Sequence, residues 1–407
     1  MKQVYSFVKT LFLILLPALP LTASASWQLV KALPATYACT ITPSGRLLVA
    51  DYQFDGTGGI YMSADEGTSW TKTEADDHCY AKFLQAGKYI YAVGQGANIA
   101  RSEDEGDTWD QLDYSEALAT VVGAAGVPYT ACYGIAQLGD RIYVADFSAG
   151  VLYTDDWGET WQFTDRESMS FTVDDGGGKG SVTQTENIYN LTAFNGQLYA
   201  FGVYFIYRYD ADNDRWIQLR DDSNFSVATT VHGGRLFCAR TIEDQNVDNP
   251  FVQVTADGET WTATNRPEGI IDNYVRCLGS DDRGLYAGHI RYGFFYSPDD
   301  GKTWQDLSDG LPVKTNPYDG SEQTLTPLDI VTTDQYVYMT LYDYPGSDAV
   351  SGLYRLPKSE LTTGIGHVKA DIDAPANSRR YLPDGRHAGK SVHGLYIEDG
   401  KKYLSPR

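Results

Sequence analysis

Short apolar runs rich in β-branched and aromatic side chains recur along the chain, each cut off by Gly, Asp or Asn. Seven share one pattern: Arg46-Leu-Leu-Val-Ala50, Tyr89-Ile-Tyr-Ala92, Arg141-Ile-Tyr-Val-Ala145, Gln197-Leu-Tyr-Ala200, Arg235-Leu-Phe-Cys238, Gly284-Leu-Tyr-Ala287 and Tyr336-Val-Tyr-Met339. A second kind of run follows, clearest in Gly59-Ile-Tyr-Met62, Gly150-Val-Leu-Tyr153 and Gly293-Phe-Phe-Tyr296. Such runs read as strands. Four short strands in each unit of roughly 40–50 residues predict a blade of a β-propeller.

Tryptophan marks the same period. Seven of the eight Trp fall at 27, 70, 109, 161, 216, 261 and 304. The text before them repeats. Ser63-Ala-Asp65-Glu-Gly67-Thr-Ser-Trp70 recurs as Ser102-Glu-Asp104-Glu-Gly106-Asp-Thr-Trp109, Thr154-Asp-Asp156-Trp-Gly158-Glu-Thr-Trp161 and Ser297-Pro-Asp299-Asp-Gly301-Lys-Thr-Trp304. The copy Thr255-Ala-Asp257-Gly258-Glu-Thr-Trp261 is one residue shorter, and Tyr209 to Trp216 is degenerate. The motif reads as a folding device. Asp folds its carboxylate onto turn N–H groups, Gly takes a positive φ, Thr starts the next strand, and Trp packs between neighbouring sheets. It resembles the Asp-box, or BNR repeat, of the sialidase-like and sortilin-like propellers. That resemblance implies a structural role for Asp65, Asp104, Asp156, Asp257 and Asp299 and for Trp70, Trp109, Trp161, Trp261 and Trp304, on a turn between the third and fourth strands and away from any active site.

The count of units predicts how the ring closes. Six box regions lie inside the chain against seven copies of the second strand, and no box follows Gly352-Leu-Tyr-Arg355. The missing strand is at the other end, where Ser26-Trp27-Gln28-Leu29 looks like the strand after a box. The expected fold is therefore all-β: a seven-bladed β-propeller over 26–363 whose N-terminal strand completes the last blade, which leaves no open sheet edge. A six-bladed ring would require one unit to be misread.

The ends of the chain read differently. Lys2 and Lys9, the apolar run Leu11 to Leu21 broken by Pro17 and Pro20, and Ala23-Ser24-Ala25 predict a signal peptide over 1–25. The run is too short and too proline-broken for a membrane helix. Residues 364–407 predict a linker and a small β tail, with Tyr381-Leu-Pro-Asp384-Gly385-Arg386 and a hairpin from Gly394 to Lys402 turning at Asp399-Gly400. This tail resembles those that sort exported Bacteroidetes proteins to the surface or medium; a stabilising flap on the ring is the other reading.

Composition narrows the function classes. The formal charge of the 407 residues is −22. Loss of Lys2 and Lys9 takes it to −24, and the tail carries eight basic against five acidic residues, so the ring holds about −27. That argues against a nucleic-acid binder and against docking on anionic lipid. Cys39, Cys79, Cys132, Cys238 and Cys277 are odd in number and widely spaced; they read as buried small hydrophobes, with one chance disulfide still open. No metal spacing, cofactor motif or Ser-His-Asp order stands out, and the stretch 174–180 lacks a phosphate-loop spacing.

Chemistry is expected at the channel mouth, on the face of the strand 2–3 and inter-blade loops. The strand 2–3 loops begin with Asp51, Asp146, Arg240, His289, Arg291 and Asp343, and long inter-blade loops run over 110–131, 162–187 and 305–326, with 174–180 as a lid. Tyr80, Tyr133, Tyr189 and Tyr274 stand near the start of the first strand in four units, as stacking platforms for sugar or as inter-blade packing. Sialidases use an Arg-Ile-Pro arginine and two others; no Arg-Ile-Pro occurs here, although Arg240, Arg276 and Arg291 are present. A glycosidase would need two acids roughly 6–10 Å apart, with Asp51, Asp146, Asp272, Asp329 and Asp343 as candidates. The expectation is a secreted, monomeric, non-catalytic module that binds a glycan or surface protein, as the similar sortilin-type and photosystem-assembly propellers bind partners. The alternative is a glycoside hydrolase acting on a neutral glycan, with sialidase activity behind it.

Overall fold

A computed structural model describes residues 26–361 except 54–57, 76–77, 97, 123–129, 175–179, 221–227, 240, 243–249, 317–319 and 344–347, together with the tail strands 380–381, 394–398 and 401–405. The expected signal peptide, the centre of the expected lid, Arg240, most of the Tyr381–Arg386 element and the Asp399-Gly400 turn lie outside the described residues.

Seven sheets follow one another along the chain, each built on a meander whose first strand lies toward the centre; in blade 6 the short strand Thr241–Ile242, from the blade 5 segment, also pairs with the start of that first strand. Those first strands are Thr36–Ile41, Tyr80–Ala86, Cys132–Leu138, Ile188–Phe194, Ala228–His232, Asn273–Asp281 and Thr326–Thr332, for blades 1 to 7. Each touches the next around the circle, and blade 7 touches blade 1 again. All seven copies of the expected second strand are found, at Leu47–Asp51, Tyr89–Gly94, Arg141–Asp146, Gln197–Gly202, Arg235–Ala239, Gly284–His289 and Tyr336–Tyr342. Blade 7 is completed by Gln28–Ala32, which runs antiparallel to Gly352–Pro357 with Gln28 opposite Arg355. The seven-bladed ring closed by its N-terminal strand is thus present.

The core is divided into seven wedges, one between each pair of neighbouring blades, and each wedge holds one Trp of the repeat. Trp109 packs between blades 1 and 2, Trp161 between 2 and 3, and Trp216 between 3 and 4. Trp261, Trp304, Trp27 and Trp70 serve the next four wedges in order. Trp27 is buried, donates its indole N–H to the Leu307 carbonyl at 2.8 Å, and meets Phe294 edge-on at 4.9 Å. A flat indole fills the widening outer part of a wedge that aliphatic side chains would leave void.

The motif turn folds as its residue types suggest, with two additions. In blade 2, Asp104 accepts the Thr108 N–H at 2.9 Å and the Thr108 hydroxyl at 2.6 Å, while Ser102 Oγ accepts the Gly106 N–H at 2.8 Å. Asp65, Asp156 and Asp299 repeat these bonds. Asp257, in the shorter copy, accepts Glu259 and Thr260 N–H. Thr therefore closes on Asp rather than starting the next strand, which begins just after Trp. The residue before Gly is also left-handed: Glu66, Glu105, Trp157 and Asp300 have φ between 56° and 62°. Two successive positive φ values are the signature of a type I′ turn, which matches strand twist. Gly158, at φ 104°, sits so close to blade 2 that a Cβ would fall 2.5 Å from Leu112.

The long inter-blade loops carry structure of their own. The helix Ser115–Val122 precedes blade 3, the hairpin Ser170–Asp174/Ser181–Thr185 precedes blade 4, and the hairpin Val313–Thr315/Glu322–Thr324 precedes blade 7. All five cysteines are buried and free. The tail strands Gly394–Glu398 and Lys401–Ser405 form the expected hairpin, and Arg380–Tyr381 adds a third strand to it.

Candidate functional site at the channel mouth

The inner strands are not regular. In six of the seven, the ladder to the second strand skips a residue: one extra in Tyr37-Ala38, then Ala81, Tyr133, Tyr189, Arg276 and Leu328; in blade 5 the described pairs, Ala228 to His232, run without a skip. A bulge leaves its residue unpaired and re-aims the side chain. Tyr37 of blade 1, Ala81 of blade 2 and Tyr133 of blade 3 share one apolar cluster with Tyr52 and Cys79. Tyr37 and Tyr133 thus pack against this cluster from the blades on either side of blade 2. Tyr133 then stacks on Tyr189 of blade 4 at 5.9 Å, and Phe147 closes on both, at 5.8 and 5.0 Å. Tyr37 packs on Tyr52 at 4.6 Å. The result is an aromatic arc across blades 1 to 4, its tyrosines half-buried apart from the buried Tyr52.

The expected site residues separate into two groups. Tyr133 and Tyr189 belong to the arc. Tyr80 does not: it is fully buried in the wedge between blades 1 and 2, and its hydroxyl accepts a bond from Gln111 at 2.9 Å. Tyr274 lies on blade 6 beneath the Arg291 guanidinium, 5.5 Å from its ring centroid.

The acids at the ends of the second strands are buried and engaged. Asp51 accepts the Ala35 N–H at 3.0 Å and the Gln53 amide at 2.6 Å. Asp146 accepts the Tyr114 hydroxyl at 2.7 Å and the Ser148 and Ala149 N–H groups at 3.0 and 2.9 Å. Burial pushes its carboxyl above the ordinary range in spite of those bonds. In blade 6, Asp272 takes the buried His289 Nε2 at 2.6 Å and Arg291 at 3.1 Å. His289 Nδ1 accepts the Arg291 and Tyr292 N–H groups at 3.1 and 3.3 Å, and the Tyr274 N–H points at Nε2 at 3.2 Å. Burial opposes ionisation of Asp272, but His289 and Arg291 outweigh it and hold the carboxyl below its usual value. Burial likewise holds the imidazole below its own, against the opposing pull of Asp272. Asp343 pairs with Lys314 at 3.0 Å.

Blade 4 uses an acid that the sequence did not single out. Glu186 is buried, and its Oε1 accepts the Val203 and Tyr204 N–H groups at 2.8 and 3.2 Å. Among the described residues its Oε2 has no partner, and burial pushes the carboxyl up to about 7. Nothing in Glu186 as a letter marks it; its role comes from standing where Asp51 and Asp146 act in their blades, tying a loop to a strand.

Below the mouth the inner strands enclose a cavity of about 360 Å³. Lys82 and Asp329 pair with each other in its lining at 3.3 Å, and Asp329 also accepts the Cys39 N–H at 3.2 Å. Asn190 donates to Thr229 at 2.9 Å, and Thr229 is 2.6 Å from Thr192. Arg276 completes the charged lining.

No family model matches the chain, and no curated protein matches it. Solved structures do. The extracellular domain of the hybrid two component system BT3049 from B. thetaiotaomicron aligns with a TM-score of 0.55 at 11% identity, over 94% of this chain and 49% of that one. The corresponding domain of BT4673 aligns at 0.53 and 12% identity, over 81% of this chain and 39% of that one. This chain therefore spans less than half the length of those two. YCF48 bound to D1 peptide aligns at 0.54 and 13% identity, over 82% and 94%. At these identities the likeness is one of fold, and it is the fold of a seven-bladed β-propeller.

Proposed function

We propose that this chain is an exported Asp-box propeller that binds a glycan or a surface protein with its channel mouth and performs no chemistry on it. The observation that carries this reading is the arc of tyrosines that the inner-strand bulges gather at the axis. Half-buried aromatic rings with solvated edges offer an apolar face and a hydrogen-bonding rim, the combination that sugar rings and peptide side chains use. The Ser/Thr-x-Asp-x-Gly turns support the Asp-box assignment. The signal-like N-terminus supports export, and among the described residues no helix is long and apolar enough to cross a membrane. Extracellular domains and a peptide-bound propeller among the structural neighbours fit a binding module. The basic tail fits a sorting segment; deleting 376–407 is expected to change secretion and leave melting of the ring intact.

The engaged acids favour binding over hydrolysis. Asp51, Asp146, Asp272, Asp329 and Asp343 each satisfy loop N–H groups, a histidine or a cation. A glycan array combined with a release assay on neutral oligosaccharides and sialyl-lactose tests the reading. Retention without product is expected; release that disappears on Asp329→Asn or Asp343→Asn overturns it.

A further inference from the structure

Among the described residues that line the central cavity, Arg276 is the charged group without a partner. It is the bulged residue of its strand, between Val275 paired to His289 and Cys277 paired to Gly288. It lines the central cavity and is only partly buried. Among the described residues its guanidinium makes no hydrogen bond or ion pair. The other two charged groups of the cavity, Lys82 and Asp329, answer each other. The cavity therefore carries one uncompensated positive charge inside a ring of about −27. Keeping a cation unpaired in a partly desolvated channel costs free energy, so its retention calls for a ligand.

We propose that the cavity is a subsite for a small hydroxylated carboxylate, a sugar acid or hydroxy acid, whose carboxylate is held by Arg276. Three features set the class. The guanidinium is a planar fork that matches a carboxylate with two parallel bonds. Thr192, Thr229 and Asn190 line the wall beside it with hydroxyl and amide groups, which suit sugar hydroxyls. The volume of about 360 Å³ holds one or two sugar rings. The subsite rests on the binding reading above and adds an acidic group to the glycan that reading invokes.

The test is calorimetric titration of the full mature chain with D-galacturonate, D-galactose and inorganic phosphate, on wild type, Arg276→Gln and Arg276→Lys. Galacturonate is expected to bind at least about tenfold more tightly than galactose, since a charge-assisted pair is made by one and not the other. Arg276→Gln should lose about tenfold or more for galacturonate with an unchanged melting temperature, and Arg276→Lys should lose less. Equal affinity for galactose and galacturonate, no galacturonate binding by folded protein, indifference to Arg276→Gln, or phosphate binding as tightly as galacturonate would each overturn the subsite. Array binding of neutral glycans that survives Arg276→Gln leaves the mouth reading standing while the subsite falls.

Discussion

Glu186 shows what a single buried residue does here. One carboxylate oxygen holds the Val203–Tyr204 turn and the other has no partner among the described residues, so ionising it means desolvating a charge. Its folded pKa, about 7, lies above the unfolded value. Between those two values the folded state binds more protons, so this group makes stability fall as pH rises from about 4.5 to 7. Glu186→Gln should therefore match wild type near pH 4 and exceed it near pH 8 by roughly 3 kcal/mol, the cost of ionising a carboxyl that folding moves from 4.5 to about 7. Parallel pH profiles in chemical denaturation would contradict this. The motif residues were readable one by one, because Asp, Gly and Trp have few other uses at that spacing. The buried acids were only partly so. Asp51 and Asp146 stand out in the sequence as loop-start acids, yet their partners are Ala35 N–H and the Tyr114 hydroxyl, groups that only the folded chain brings near.

At the scale of elements, the decisive piece is the N-terminal strand. It pairs with Gly352–Pro357, and Trp27 at its start fills the wedge between blades 6 and 7. Trp27→Ala should cost about 3–5 kcal/mol, the cost of emptying a buried aromatic site, and should raise hydrogen exchange in 352–357 with it. Unchanged exchange there would mean that the strand is not what closes the blade. Every second strand was legible from its apolar run and its Gly or Asp boundary. The bulges were not. A skipped residue such as Tyr133 or Arg276 carries no mark in sequence, because the ladder partner that reveals it lies on another strand. The hairpin Ser170–Thr185 was read as loop because its Gly-rich centre hid the alternation of Thr and Val on either side.

At the scale of the whole molecule, wedges of indole and tyrosine hold the ring together, and six of the seven inner strands carry a bulge; the outer ladders skip a residue at Val30 and at Leu219. The wedges carry stability, and the inner-strand bulges present side chains for recognition. The central claim is that the tyrosines gathered at the axis are the binding surface, and it is tested most directly by the double variant Tyr133→Ala, Tyr189→Ala. Its affinity for whichever glycan or protein the wild type retains should be measured alongside its melting curve. The expected result is a loss of at least about tenfold in affinity, as for aromatic anchors generally, with melting lowered by no more than a few degrees. Undiminished affinity in a folded double variant would place recognition elsewhere on the ring and contradict the account.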